Sequence, residues 1–235
     1  MEINSEEHIK GGGKIRSFLL GFNDGLISTF TLLVGVAAAT LSSEGNTIII
    51  LTGIAAMVSG AISMGLGEYI SSRSEVKYIR NELKREKTEI ELFPKEEEEE
   101  VREILQTWGF EGELLDMGAK KIISNKDIWV DFLFKGELGL EEPENPLIGG
   151  SLTFIAFVLG AFTTLFPYFF KLGMICLILS SVISFSMLFI VGMMKTKITG
   201  ENTLRSGIEM VLVGIIAFLV SFSVGLWLEQ IIPSL

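Results

Sequence analysis

The sequence predicts an all-α membrane protein: five transmembrane helices, with an acidic cytosolic helical insert between the second and the third. Three observations predict it. Apolar residues make up 49% of the 235 and the mean hydropathy is +0.49, yet 20% of residues are charged. Five apolar stretches each reach the roughly 20 helical residues that a bilayer core requires. The charge is also segregated: residues 73–145 hold 12 of the 19 Lys+Arg and 20 of the 29 Asp+Glu, a net charge of −8 out of −10.

Taken in order, residues 1–17 form a hydrophilic tail carrying both signs of charge. The apolar run after it has no cleavage-like small-residue site, so it is expected to stay as an anchor and not to leave as a signal peptide. The first two spans, within residues 18–72, are placed at 18–41 and 47–70. The insert is placed at 73–145, and the last three spans, within 146–235, at 147–170, 172–194 and 206–231. Gly, Ala and Ser recur through all five, as helix packing in lipid demands. In the second span Ala56, Gly60, Ser63 and Gly67 share a stripe that reads as a packing face. Lys10, Lys14, Arg16, Lys195, Lys197 and Arg205 flank the spans on the side of the insert, against Lys171 alone on the other. By the positive-inside rule the N-terminus and insert are cytosolic and the C-terminus lies outside.

Within the insert, a breaker-free run from Ser74 to Leu92 is stopped by Phe93-Pro94. A second helix over 96–108 places Val101, Ile104, Leu105 and Trp108 at helical spacing and ends at Gly109. Shorter amphipathic pieces follow at 113–123 and 126–135. The first of these helices is expected to continue the second span.

Composition removes several functions. The acidic balance gives no basic surface for nucleic acid. The single cysteine, Cys176, allows no intrachain disulfide. The single histidine, His8, excludes multi-His zinc sites and argues against Ser-His-Asp or Cys-His catalysis. Metal chemistry, if present, falls to carboxylate, thioether and carbonyl ligands.

Asp24 lies inside the first span, where an ionised carboxylate is expensive unless paired or hydrated. It reads either as a cation ligand or proton carrier on a translocation path, or as a residue that snorkels or caps a broken helix. Gly25 beside it is expected to loosen the helix and offer a carbonyl. Met64 and Glu68 are four apart on one face of the second span. Met64 alone is ordinary packing; beside a carboxylate, its soft sulfur would favour transition metals over Mg²⁺ and Ca²⁺. Glu68 near the boundary also reads as a solvated group. In the insert, Glu86 and Glu89 share a face, as do Glu97 and Glu100, with Cβ atoms about 5–6 Å apart. Folding back at Pro94 would bring the four carboxylates together; read alone, the run Glu96–Glu100 is a solvated acidic face.

Four motifs carry a family resemblance: Gly21-Phe-Asn-Asp-Gly-Leu-Ile-Ser, Gly60-Ala-Ile-Ser-Met-Gly-Leu-Gly-Glu-Tyr, Glu82-Leu-Lys-Arg-Glu and Gly136-Glu-Leu-Gly-Leu-Glu-Glu-Pro. In this order over nearly the whole chain they resemble the vacuolar iron transporter family. The resemblance implies a five-span homodimer that exports Fe²⁺, and often Mn²⁺, from the cytosol in exchange for protons, with no tightly bound cofactor. It places Asp24 and Met64 on the ion path and assigns the cytosolic metal site to Glu86, Glu89, Glu97, Glu100 and Glu137. Two departures stand out. Many members have Phe-Met-Met-Lys where this chain has Phe132-Leu133-Phe134-Lys135, which makes the insert site oxygen-only. Many also have a Glu where this chain has Ala56, a loss for which Glu68 is a partial substitute.

The leading expectation is therefore a divalent-metal exporter working between lipid bilayer, metal ions and protons. A membrane-anchored metal sensor or buffer, and a carboxylate-metal membrane enzyme, are the alternatives. With no extended N-terminal targeting region, the expected membrane is the cell membrane of a prokaryote.

Overall fold

A computed structural model describes residues 12–40, 46–136 and 145–231. Among these residues the chain is helical, in eight α-helices and one 3₁₀ segment: α1 (Gly12–Ala39), α2 (Asn46–Leu92), α3 (Pro94–Thr107), α4 (Gly112–Ile123), α5 (Lys126–Gly136), α6 (Pro146–Leu165) followed by the 3₁₀ turn Phe166–Phe170, α7 (Met174–Thr199) and α8 (Thr203–Ile231). Five of them, α1, α2, α6 with its 3₁₀ turn, α7 and α8, are long and apolar enough to cross a membrane. Two compact units result: one from the chain up to Ile70 together with Pro146 onward, the other from Ser71–Asn145. The helix α2 contributes to both, without interruption over 47 residues.

In the first unit α1 is the central element and packs on α6, α7 and α8. Backbone approach fixes the directions. Gly21 lies against Thr153 and Gly25 against Phe157, so α6 runs parallel to α1. Gly60 meets the Phe157 ring and Gly65 meets Gly150 and Phe154, so α2 runs the opposite way. The Ser221 hydroxyl donates to the Thr31 carbonyl and Gly225 sits on Gly35, so α8 runs with α1. Gly192 meets Ser206 and Gly207 while Gly214 meets Leu188, so α7 is antiparallel to α8. This alternation leaves the starts of α1, α6 and α8 on one face. The core at the other end joins Phe30, Leu33, Val34, Leu165, Tyr168 and Leu177.

Two expectations are corrected here. Gly25 does not loosen α1, which is an unbroken helix. A Cβ at Gly25 would land on the Phe157 carbonyl, and one at Gly160 on the Phe22 carbonyl. These glycines therefore let two backbones touch, where only hydrogen fits. The packing face of α2 keeps only part of the predicted stripe, Gly60 against the Phe157 ring. Ser63 is exposed and Gly67 has open space around it, whereas Gly53, Ala61 and Gly65 are buried. On the outer side of α2 and α6 a cavity of about 750 Å³ opens between Gly65, Leu66, Tyr69, Gly150, Ser151 and Phe154.

The second unit turns at Phe93, with φ −129° and ψ 48°, and Pro94 opens α3. Proline has no N–H to donate to α2 and its ring clashes with the preceding turn, so the helix must end there. The core of this unit gathers Ile90, Val101, Leu105, Leu115, Trp129 and Leu133. Arg102 bridges Glu98 and Asp116, tying α3 to α4, and Lys126 reaches Glu91, tying α5 to α2. The Lys126 hydrogen bond, and then its charge, hold the Glu91 carboxyl below the ordinary carboxylate range.

Candidate functional site

The corner at Pro94 does what the spacing of the glutamates anticipates, for three of them. Glu86 on α2 and Glu97 and Glu100 on α3 each bring a carboxylate oxygen within 4.8 Å of the other two. Glu86 is 2% exposed and Glu97 5%. Charged residues are almost never that buried without compensation. Three carboxylates so close repel one another, and burial removes the water that would screen them, so bound protons or a cation would stabilise the cluster. Its donors are hard oxygens, suited to divalent ions at short range. The first turn of α3, which carries Glu96 and Glu97, adds the positive end of the helix dipole.

Glu89 does not join the cluster. Arg85, one turn before it, takes its carboxylate at 3.4 Å, alongside Glu82 at 3.1 Å. Glu137 lies outside the described residues. Leu133 and Phe134, at the positions where sulfur ligands are absent, are buried, and Leu133 belongs to the apolar core with Ile90 and Val101.

In the membrane unit the three candidate residues occupy different helices or levels. Glu68 is half-buried near the face where α1 begins, and its Oε1 accepts the Ser17 hydroxyl at 3.0 Å. Gly149 at the start of α6 also lies against the Glu68 side chain. One turn deeper, Met64 packs against the small buried cluster of Ala61, Phe157 and Ala161. Asp24 is half-buried on α1, and among the described residues its carboxylate has no hydrogen-bond or ion-pair partner. With α6 as a ruler, Gly25 and Gly60 share the level of Phe157, and Gly21 and Gly65 that of Thr153 and Phe154. Asp24 and Met64 thus fall between the same two levels of the bundle, Met64 on the side of α2 that faces α6. Ala56, two turns beyond Met64, is half-buried.

Sequence reasoning passed over a set of buried hydroxyls. Thr29, Thr164, Ser180, Ser184 and Tyr168 are all buried inside the membrane unit. Their sequence signal is weak, because Ser and Thr in apolar helices usually bond their own backbone one turn back.

The chain is 37% identical over 225 residues to Vacuolar iron transporter 1 of Arabidopsis thaliana, covering 94% of this chain and 89% of that one. It is 36% identical over 223 residues to Vacuolar iron transporter of Centaurea cyanus, covering 93% and 89%. It is 35% identical over 217 residues to Protein CCC1 of Saccharomyces cerevisiae, covering 86% of this chain and 65% of the yeast protein. These relatives are eukaryotic and two are named for the vacuole, so they lend no support to the expected prokaryotic cell membrane. A sequence profile of the VIT family matches residues 15–226. Identity and coverage of this order place the chain in the VIT family: it is a multi-pass membrane protein that transports metal ions, and not an enzyme.

Proposed function

We propose that the chain carries Fe²⁺, with Mn²⁺ as a secondary cargo, out of the cytosol in exchange for protons. The observation that carries this reading is the convergence of Glu86, Glu97 and Glu100 in a compact unit where two of them are buried. Relatives of this chain are named iron transporters, which fixes the class of cargo to test first. In this reading the metal is cargo and no resident cofactor takes part.

Orientation follows from charge. Lys14, Arg16, Lys195 and Arg205 belong to the face where α1 begins, and Lys171 to the opposite one. The positive-inside rule makes the first face cytosolic, so the acidic unit that leaves α2 and returns at α6 is cytosolic as well. There its three carboxylates collect the ion. Glu68, Met64 and Asp24 form the route through the bundle, Glu68 at the cytosolic mouth and the thioether of Met64 discriminating against hard ions that an oxygen-only basin admits. When the ion has left, an ionised Asp24 in a low-dielectric setting is costly, and a proton from the far side neutralises it.

We also infer a homodimer. Its support is the outward stripe Ala55, Ser59, Ser63 and Gly67 on α2, small and exposed in the single chain, of the kind that lets two helices approach closely. The deciding experiment is a proteoliposome assay comparing Fe²⁺, Mn²⁺, Co²⁺ and Zn²⁺ under an imposed pH gradient. Metal flux accelerated by an acidic far side is expected. Flux indifferent to the gradient would remove the antiport step, and no flux of any ion would remove the reading.

A further inference from the structure

Ser17, in the second turn of α1, is 7% exposed. A serine in an apolar helix usually turns its one hydroxyl hydrogen back to the carbonyl a turn earlier. Ser17 sends it across to α2 instead, donating to Glu68 Oε1 at 3.0 Å. A buried hydroxyl spent on a carboxylate of another helix calls for a reason beyond the folding of α1.

The surroundings hold that hydroxyl in place. The Ser17 carbonyl accepts the hydroxyl of Thr153, a fully buried residue of α6, at 3.3 Å. One turn further along α1, Gly21 lies directly on the backbone of Thr153. At the start of α6, a Cβ on Gly149 would stand 3.4 Å from Glu68 Oε1 and 3.8 Å from Ser17 Oγ. Backbone of α1 and α6 therefore walls the point where the serine meets the glutamate. Register carries the pattern inward. Ser17 and Asp24 are seven apart, two turns on one face of α1 and about 10.5 Å along its axis. Glu68 and Met64 are one turn apart on one face of α2. The Ser17–Glu68 pair is thus the outer rung between two faces that carry Asp24 and Met64 further in.

We propose that Ser17 is a positioning residue of the ion's entrance, its hydroxyl holding the Glu68 carboxylate where an ion arriving from the cytosol meets it. A glutamate side chain has several rotatable bonds, and it loses that freedom when an ion orders it. A donor anchored to α6 removes much of the freedom in advance, and a group ordered before binding holds its ligand more tightly. A hydrogen bond from an outer partner also orients a ligating carboxylate, and losing such a partner costs about tenfold to a hundredfold in metal affinity. Ser17 itself need not touch the ion. The step at Asp24 and Met64 lies deeper and does not depend on this bond, so the effect belongs to capture and not to passage.

The inference rests on the reading that Glu68 lies on the ion's route, and its test separates the two. Initial rates of anaerobic Fe²⁺ transport are measured against Fe²⁺ concentration in proteoliposomes of the full chain. The variants are Ser17→Ala, Ser17→Cys, Ser17→Thr, Glu68→Ala and the double variant Ser17→Ala/Glu68→Ala. Ser17→Ala and Ser17→Cys, the second nearly the size of serine but a weak donor, should raise KM about tenfold. Their maximal rates should stay within about twofold of wild type, the signature of lost binding and not of lost passage. Ser17→Thr keeps the hydroxyl and should keep the wild-type KM. In the Glu68→Ala background, removing the Ser17 hydroxyl should add less than about twofold, because its partner is already gone. An unchanged KM in Ser17→Ala and Ser17→Cys beside a raised KM in Glu68→Ala overturns the proposal, and a lowered melting temperature would then mark Ser17 as packing. A loss confined to the maximal rate overturns it as well, as does a full further rise in KM in the double variant or an equal rise in all three Ser17 variants. If Ser17→Ala fails to fold, Ser17→Cys against Ser17→Thr decides. If Glu68→Ala itself leaves KM unchanged, the route through Glu68 and the role of Ser17 fall together.

Discussion

The membrane unit and the acidic unit handle carboxylates in opposite ways. The acidic unit concentrates three of them around one corner and sinks two into its interior. The membrane unit sets Asp24 and Glu68 on different helices, with Glu68 held by the Ser17 hydroxyl. A cluster binds a cation strongly because each extra charge adds attraction and the repulsion it relieves is large. A spaced series binds weakly at each step, which a conducting path needs if the ion is to leave. In the proposed reading, the difference teaches that capture and passage are built by opposite arrangements of one residue type.

The largest expected effect breaks the comparison on the membrane side. Asp24→Asn should abolish Fe²⁺ flux in proteoliposomes while the detergent-solubilised protein still binds metal at the acidic unit; normal flux would remove Asp24 from the path. On the other side, Glu86→Gln should weaken metal binding by on the order of tenfold to a hundredfold, read by calorimetry with Mn²⁺ or Co²⁺, with flux at saturating metal less affected. Glu89→Gln sharpens the contrast, since Arg85 already holds that carboxylate: a change below about twofold, roughly 0.4 kcal/mol, is expected. A loss equal to that of Glu86→Gln would return Glu89 to the site.

How much of this is legible in the sequence differs between the two units. The five spans are visible because about 20 apolar residues in succession are more than a helix on a water-facing core needs and just what a bilayer requires. The corner at Phe93-Pro94 is visible because proline acts locally. The split between Glu89 and Glu100 is not, since both satisfy the same three-residue spacing, while in the structure Glu89 pairs with Arg85 and Glu100 joins Glu86 and Glu97. Gly25 misleads for a related reason: glycine permits both loosened backbone and close approach, and the carbonyl of Phe157 that decides between them comes from a helix more than 130 residues away. On α2 small residues wind round the whole helix, so the stripe read from the sequence mixes the inward Gly60 with the outward Ser63 and Gly67.

Two smaller effects test the frame. Gly25→Leu should destabilise the membrane unit by about 3 kcal/mol or more, the upper end for over-packing, because the clash is with backbone that cannot rotate away. A thermal melt that is unmoved would mean α1 and α6 can separate. The least effect is expected at Glu91. Its folded carboxyl titrates below the ordinary 4.5, so its contribution is complete above that value and fades as pH falls through the lower folded one. Glu91→Gln should therefore lower stability slightly at neutral pH and not at all at acid pH, where the wild type has already lost the contribution; an equal loss at both would show that Lys126 is not the cause.

The touching backbones of α1 and α6 also restrict how such a machine can cycle. Two helices whose carbonyls sit where a Cβ would be cannot slide past each other without a steric collision, nor part without baring polar backbone to hydrocarbon. They act as a stator. In the proposed cycle, alternating exposure of Asp24 then falls to what surrounds that pair, and the place to look is α2, which borders a cavity of about 750 Å³ against α6.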